Sequence, residues 1–126
     1  MTRPADKQYL ATHEWVQFMD DTTARIGITD FAQEQLGDIV FVELPEVGQD
    51  VSKGEQVAEV ESVKTVSDIY TPFSGHVSSI NEALEDEPER VNAAPFEAWL
   101  FEVSDITDKE ELLSLEDYNK VVEEED

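Results

Sequence analysis

The predicted fold rests on the strand pattern of one stretch, Val60-Glu-Ser-Val-Lys-Thr-Val-Ser-Asp-Ile-Tyr-Thr-Pro-Phe-Ser-Gly-His-Val77. Apolar and polar side chains alternate on both sides of Lys64, which is typical of two half-buried strands. Folding the chain back about Lys64 sets Val60 opposite Ser67 and keeps one face of the hairpin apolar. The pattern therefore predicts a β-hairpin with Lys64 at its tip, accessible to solvent and without a role in the core.

The segments before this hairpin also alternate. Residues 9–19 and 24–28 predict two strands joined by the turn residues 20–23. Thr29 and Asp30 can cap a short helix that reaches Leu36 before Gly37, and residues 38–43 predict an apolar strand. Pro45 ends that strand because proline lacks the N–H group that a sheet requires.

The segments after the hairpin predict fewer strands and more helix. The predicted elements are a turn at 71–74, a strand at 75–80, a helical turn at 81–84, a surface loop at 85–90, a strand at 99–103 and two helices that start at capping boxes 107–110 and 114–117. Many short strands with late helices predict a mainly β sandwich or partly closed barrel with short peripheral and C-terminal helices.

Length and composition favour one domain over residues 1–126, with mobile ends at 1–7 and 123–126. With 126 residues and 40% hydrophobic content, the chain can bury one modest core. The amino terminus lacks the apolar region of a signal peptide, and no apolar run approaches the roughly 20 residues of a membrane span. We therefore expect a cytoplasmic protein. The chain has no cysteine, so sulfur chemistry would require a bound or attached cofactor.

The charge of the chain is strongly acidic. Thirty-one Asp and Glu residues against eight Lys and Arg residues give a formal net charge of -23. Such a surface repels phosphates and anionic lipid, so nucleic acid and membranes are excluded as partners. Two explanations for the excess stay open: adaptation to a salty cytoplasm, where ions screen the repulsion, or an acidic docking surface for basic enzymes.

The residues around Lys64 resemble the lipoyl-attachment segment of glycine cleavage system H proteins. The resemblance covers residues 8–122, and the matching segments are 13–16, 26–45, 61–68, 72–75, 81–84 and 91–92. Simple lipoyl domains usually have Asp and Ala beside the lysine, and biotin carriers have Met on both sides. Val63 and Thr65 fit neither class.

The resemblance implies the barrel-sandwich hybrid fold of lipoyl and biotinyl carriers, with lipoate joined to Lys64 by an amide. It implies a carrier that is not an enzyme: P protein loads an aminomethyl group, T protein removes it, and L protein reoxidises the arm. An H-like carrier that relays lipoate to other carrier domains uses the same lysine. An adaptor protein whose Lys64 is never modified is the alternative from another class.

The resemblance also implies further site residues. Glu14, Asp68 and Thr12 match the cleft that holds the loaded arm, where carboxylates suit a protonated aminomethyl group. Without the resemblance, Glu14 and Asp68 would be ordinary acidic surface residues. Glu61 and Gly75 match positions that a lipoyl-attaching enzyme recognises, and Gly75 can permit a tight turn.

Other reaction classes find little support in the sequence. His13 and His76 are too few and too separated to predict a metal site, and we expect structural or solvent roles for them. No nucleophile elbow and no phosphate-binding glycine loop is present. One departure from the family pattern is the segment 96–98 before Trp99, where the family generally has glycine, so a turn with positive φ would have to be rebuilt there.

Overall fold

The computed structural model describes residues 3–125. Within them the chain forms nine strands and four helices. The strands are β1 Gln8–Tyr9, β2 Glu14–Asp20, β3 Thr23–Ile28, β4 Ile39–Glu43, β5 Asp50–Val51, β6 Gln56–Ser62, β7 Val66–Tyr70, β8 Phe73–Ile80 and β9 Phe101–Lys109. The helices are α1 Asp30–Leu36, α2 Ala83–Asp86, α3 Arg90–Ala93 and α4 Leu115–Glu125. None of these helices is long and apolar enough to cross a membrane.

Two antiparallel sheets make up the framework. The larger sheet has the strand order β1-β2-β3-β9-β8-β5, and the smaller has the order β4-β6-β7. Because β6 is central in the smaller sheet, β7 lies at its edge beside the larger sheet's loops. The register of β6 and β7 pairs Val60 with Ser67, as the alternation predicts.

The main core lies between the inner faces of the two sheets, since residues of both belong to one buried cluster. Its most deeply buried members include Val16, Ile26, Val60, Ile69, Phe73, Val77, Phe101 and Val103. A second cluster lies under α4 and contains Tyr9, Trp15, Phe31, Tyr118 and Val122. Both clusters consist of side chains that alternate along strands or recur along one helix face, which is how the sequence predicts them.

Helix α1 forms where the sequence predicts it. The hydroxyl of Thr29 accepts a hydrogen bond from the backbone N–H of Ala32 at 3.2 Å, so Thr29 is the N-cap. The helix ends at Gly37, whose φ of +83° is unfavourable for residues with a Cβ atom. This ending places Gly37 next to the tip of the β6–β7 hairpin.

The predicted helix that begins at Thr107 is wrong. Strand β9 continues to Lys109, because it pairs with β8 as far as the Phe73–Lys109 pair. Leu113 then forms a bridge with Tyr9. Tertiary pairing therefore outweighs the local capping signal. The second capping signal is confirmed, since the Ser114 hydroxyl accepts a hydrogen bond from the backbone N–H of Asp117 at the start of α4.

Two predicted loops also differ from the structure. The expected surface loop at 85–90 contains the end of α2 and the start of α3, because local backbone hydrogen bonds of helical type continue through it. At 96–98 the backbone has no positive φ: within residues 3–125 such values occur only at His13, Gly37, Gly48, Gly54 and Asp105. Whether this segment is rebuilt relative to glycine-containing relatives stays a prediction.

The chain ends make specific contacts where the structure describes them. Arg3 donates a hydrogen bond to Asp30 at 2.9 Å, Lys7 is buried, and α4 reaches Glu125. The mobile ends predicted for 1–7 and 123–126 stay a prediction, and positions 1, 2 and 126 lie outside the described residues.

Candidate functional site

The turn between β6 and β7 is built around the hydroxyl of Ser62. This side chain is buried, and its oxygen accepts hydrogen bonds from the backbone N–H groups of Lys64 at 3.3 Å and Thr65 at 3.1 Å. The backbone N–H of Ser62 donates to the carbonyl of Thr65 at 2.8 Å. These bonds fix the backbone of the turn and leave the Lys64 side chain outside it.

The turn is also attached to its neighbours. The N–H of Val63 donates to the carbonyl of Asp38 at 3.0 Å, which ties the turn to the start of β4. The Lys64 stem passes over Gly37, where an added Cβ atom would lie 3.2 Å from Lys64 Cε. Gly37 therefore serves two purposes, since it ends α1 with a positive φ and leaves space for the lysine.

Lys64 is the basic residue whose charged group has neither a salt bridge nor an aromatic ring as partner within residues 3–125. It is exposed, and among the salt bridges of residues 3–125 none involves it. The other seven basic residues are engaged: Arg3 with Asp30, Arg25 with Glu102, Lys53 with Asp108, Arg90 with Glu87, Lys120 with Glu116, Lys7 over the Trp15 ring and Lys109 over the Phe18 ring. An amine in this position is accessible to a modifying enzyme.

A groove runs beside the β7 edge. One cavity of about 230 Å³ contains Leu36, Ser67 and Thr12 in its lining. A second cavity of about 290 Å³ is lined by Thr12, Glu14 and Tyr70, among others. Thr12 borders both cavities, and Ser67 and Tyr70 belong to the same strand, so the two cavities are neighbours along β7. Lys64 lines neither cavity, whereas Glu14 lines the second.

Glu14 is a buried carboxyl group in the lining of the second cavity. It is 2% exposed, and the Thr12 hydroxyl donates a hydrogen bond to it. Burial raises the pKa of Glu14 to about 7, the Thr12 hydrogen bond opposes that rise, and the nearby Glu110 carboxylate adds to it. Within residues 3–125 no salt bridge neutralises Glu14. A cation in this pocket would favour the ionised form of the Glu14 carboxyl group, which could accept a hydrogen bond from it.

His13 forms part of the groove wall that sequence reasoning did not identify. Its φ is +76°, its Nδ1 lies 2.8 Å from the Tyr118 hydroxyl, and that hydroxyl lies 2.6 Å from the Thr29 hydroxyl. Its Nε2 lies 2.8 Å from a Glu125 carboxylate oxygen, without the geometry of a hydrogen bond. The contacts come from α1 and α4, so no local sequence signal could have revealed them.

Asp68 and Glu61 lie on the outer face of the smaller sheet. Asp68 is exposed and opposite Glu59, and neither groove cavity includes it in its lining. Glu61 is exposed and opposite Val66, close to the hairpin tip. The structure therefore brings Thr12 and Glu14 together in one pocket and places Asp68 on another face of β7.

Gly75 lies within β8, and the tight turn expected for it is wrong. It pairs with Val51 of β5 at a point where the register with β9 shifts. A Cβ atom there would lie 2.5 Å from the carbonyl oxygen of Ser104 and 2.9 Å from Val103 Cγ1. The physical requirement for glycine is this close approach of two strands.

Comparison with known proteins identifies the family. The model of the family described as "Glycine cleavage H-protein" matches residues 7–125 of this chain. The chain belongs to the glycine cleavage H-protein family. A glycine cleavage system H protein of Lachnoclostridium phytofermentans is 55% identical over 117 residues, which cover 93% of this chain and 92% of the relative. One of Listeria monocytogenes is 52% identical over 126 residues, 98% of this chain and 100% of the relative.

A solved structure of the same family agrees with the fold. The crystal structure of a glycine cleavage system H protein from Mycobacterium marinum has a TM-score of 0.88 and 44% sequence identity, covering 94% of this chain and 97% of the other. The family resemblance and the barrel-sandwich hybrid fold that the sequence predicts are therefore confirmed.

Proposed function

We propose that this chain works as a non-catalytic lipoyl carrier of the glycine cleavage system, with Lys64 as the attachment site. The observation that carries the proposal is the exposed Lys64 amine at the tip of the β6–β7 hairpin, outside every salt bridge of residues 3–125. The pocket of buried Glu14 borders the second strand of the same hairpin through Tyr70. Family membership supplies the pathway, because the H-protein relatives are named for it.

Lys64 fits attachment better than acid–base work. Its amine attacks the carbonyl carbon of an activated lipoyl group; the amide bond forms, the bond to the activating group breaks, and the amine releases a proton. The hydrogen bonds of Ser62 hold the backbone during this step, while the side chain stays free to enter an enzyme. Because the amide is uncharged, Lys64 loses its positive charge on modification.

Lipoate, once bound, supplies the sulfur that carries an aminomethyl group between enzymes. The pocket beside β7 would hold this cargo. Glu14, in its ionised form, would accept a charge-assisted hydrogen bond from a protonated amine, and the Thr12 hydroxyl, which donates to Glu14, would orient the carboxylate. A positive charge there would lower the pKa of Glu14 below about 7.

The partners follow from the same proposal. P protein loads the arm, T protein passes the one-carbon unit on, L protein reoxidises the dithiol, and a lipoyl-attaching enzyme modifies Lys64. The contribution of the carrier is effective concentration, since a tethered group meets each active site without diffusing away. We place the protein in the cytoplasm, where these steps occur together.

The intact mass of natively purified protein tests the attachment. The expected result is an increment of one lipoyl or octanoyl group that disappears in the Lys64→Arg variant. Lys53→Arg is the matched control, because Lys53 is also exposed but forms a salt bridge with Asp108. An unmodified wild-type chain from cells with an active lipoylation pathway would contradict the proposal and favour the adaptor role.

Reconstitution separates glycine cleavage from a lipoate relay. Lipoylated protein is mixed with P protein and labelled glycine, and label on the protein is measured. Labelled wild-type protein is expected, whereas transfer of lipoate to other carrier domains without labelling would support the relay.

A further inference from the structure

Exposed apolar side chains are concentrated on the smaller sheet and its adjoining loops. Within residues 3–125, six of the seven large hydrophobic residues with high exposure lie on β4, β7 or these loops, and only Met19 lies elsewhere. The six are Val40, Phe41, Val47, Val63, Val66 and Tyr70. Single exposed apolar residues need no explanation, but their concentration on one small sheet points to an interaction surface.

The strand register arranges these side chains in rows across the smaller sheet. Nearest the hairpin tip, Phe41, Glu61 and Val66 lie side by side on β4, β6 and β7. The next row on the same face contains only acidic residues, namely Glu43, Glu59 and Asp68. We call this surface of two rows the outer sheet face. Beside the Lys64 turn it presents Phe41 and Val66 with Glu61 between them, and the row behind is entirely acidic.

The carboxylates of the outer sheet face have no cationic partners. None of them takes part in a salt bridge within residues 3–125. Like charges directly opposite each other destabilise a sheet. Glu43 also borders a groove of about 570 Å³ whose lining combines Phe41, Leu44 and Val47 with further acids. A basic partner would relieve the repulsion and cover the apolar side chains at once.

We propose that the outer sheet face is the docking surface for the enzyme that acylates Lys64, and that this enzyme presents an apolar patch rimmed by Lys and Arg. The inference rests on the proposed attachment at Lys64. An attaching enzyme must bring its acyl carbonyl to bonding distance of the amine itself, so it has to contact the surface next to the turn. An enzyme that acts on the far end of the arm is not held to this distance.

A second copy of the chain fits this face poorly. In a two-fold dimer the same surface meets itself, so the row Glu43, Glu59 and Asp68 would face another row of carboxylates. With a net charge of -23 on each chain, this contact is repulsive at moderate salt. Charge complementarity therefore favours a basic enzyme over self-association.

The test measures the rate of lipoylation of the full-length unmodified chain by a purified lipoate ligase with ATP and lipoic acid, followed by intact mass. The double variant Phe41→Thr/Val66→Thr removes apolar area and keeps residues suited to strands. Met19→Thr is the matched control, because Met19 is 49% exposed and Phe41 48%. Glu43→Gln/Glu59→Gln removes two charges, with Glu123→Gln/Glu124→Gln on α4 as its control.

The expected result is a fall of about tenfold in kcat/KM for the apolar double variant, through KM, and less than about twofold for Met19→Thr. For Glu43→Gln/Glu59→Gln, the decline of kcat/KM with added salt becomes shallower than in the wild type and the α4 control. Circular dichroism and unfolding midpoints verify folding, and Val66→Thr alone replaces the double variant if the double variant unfolds.

Two results would overturn the inference in different ways. If the outer-face variants are modified as fast and with the same salt dependence as their controls, the docking surface is refuted while attachment at Lys64 stands. If wild-type protein acquires no lipoyl group at all, the proposed function fails and the docking surface fails with it.

Discussion

Lys64, at the tip of the β6–β7 hairpin, and Glu14, in a pocket bordered by β7, have opposite environments. Lys64 is exposed and unpaired within the described residues, and only the backbone of its turn is fixed. Glu14 is 2% exposed, and its pKa is raised to about 7 by burial. An exposed amine costs the fold almost nothing, whereas a buried carboxylate opposes folding. The contrast shows that the fold loses stability at Glu14 and not at Lys64. A cationic ligand in the Glu14 pocket would offset that loss.

The largest effect is expected at the exposed end. Lys64→Arg keeps the positive charge but removes the primary amine, so we expect complete loss of the lipoyl increment and no change in the unfolding midpoint. Mass spectrometry and thermal unfolding measure the two quantities. A large drop in stability would show that Lys64 has a structural role and would break the contrast with Glu14.

The second effect is expected at the buried end and depends on pH. The pKa of Glu14 is higher in the folded chain, about 7, than the ordinary 4.5, so the folded state binds more protons between these values. The wild type therefore loses stability relative to Glu14→Gln as pH rises through 4.5 and 7, by about 3 kcal/mol in all, and the difference levels off only well above the folded-state pKa of about 7. Chemical unfolding from pH 4.5 to 8 measures this difference.

Glu124→Gln on α4 is the control for this pH series, because Glu124 is exposed and borders neither cavity beside β7. The difference from the wild type should change with pH more for Glu14→Gln than for this control. Equal profiles for the two variants would mean that Glu14 ionises without cost and that the pocket is not pre-set for a cation.

A smaller effect is expected at Ser62. Ser62→Ala leaves the backbone N–H groups of Lys64 and Thr65 without their acceptor, so we expect a loss of about 1–2 kcal/mol in unfolding free energy and slower acylation of Lys64. Ser79→Ala is the control, since Ser79 is half-buried and its hydroxyl makes no hydrogen bond within residues 3–125. Equal losses for both variants would contradict a special role for Ser62.

The smallest effect is expected at Asp68. Because this residue is exposed on the outer sheet face, Asp68→Asn should change the unfolding free energy by less than about 0.5 kcal/mol. It should also shorten the lifetime of the loaded aminomethyl arm less than Glu14→Gln does. The lifetime is measured by release of labelled aminomethyl group. An effect equal to that of Glu14→Gln would place Asp68 in contact with the cargo.

Local patterns predicted the elements whose partners are close in the chain. Alternation about Lys64 gives the β6–β7 hairpin and the Val60–Ser67 pair, because a short hairpin leaves little choice of register. Capping residues predict α1 at Thr29 and α4 at Ser114, because each cap bonds a backbone N–H only three residues further along the chain. The helix predicted at Thr107 fails because β8, about 30 residues earlier in the chain, pairs with that segment.

Residue types at short spacing were enough to predict the hairpin, the position of Lys64 at its tip and the family resemblance. The burial of Glu14, the outward position of Asp68 and the contact of Gly75 with β9 became evident in the folded chain. Burial of a carboxyl group and close approach of two strands depend on segments that are distant in the chain. The energies of these long-range contacts therefore cannot be inferred from a local sequence pattern.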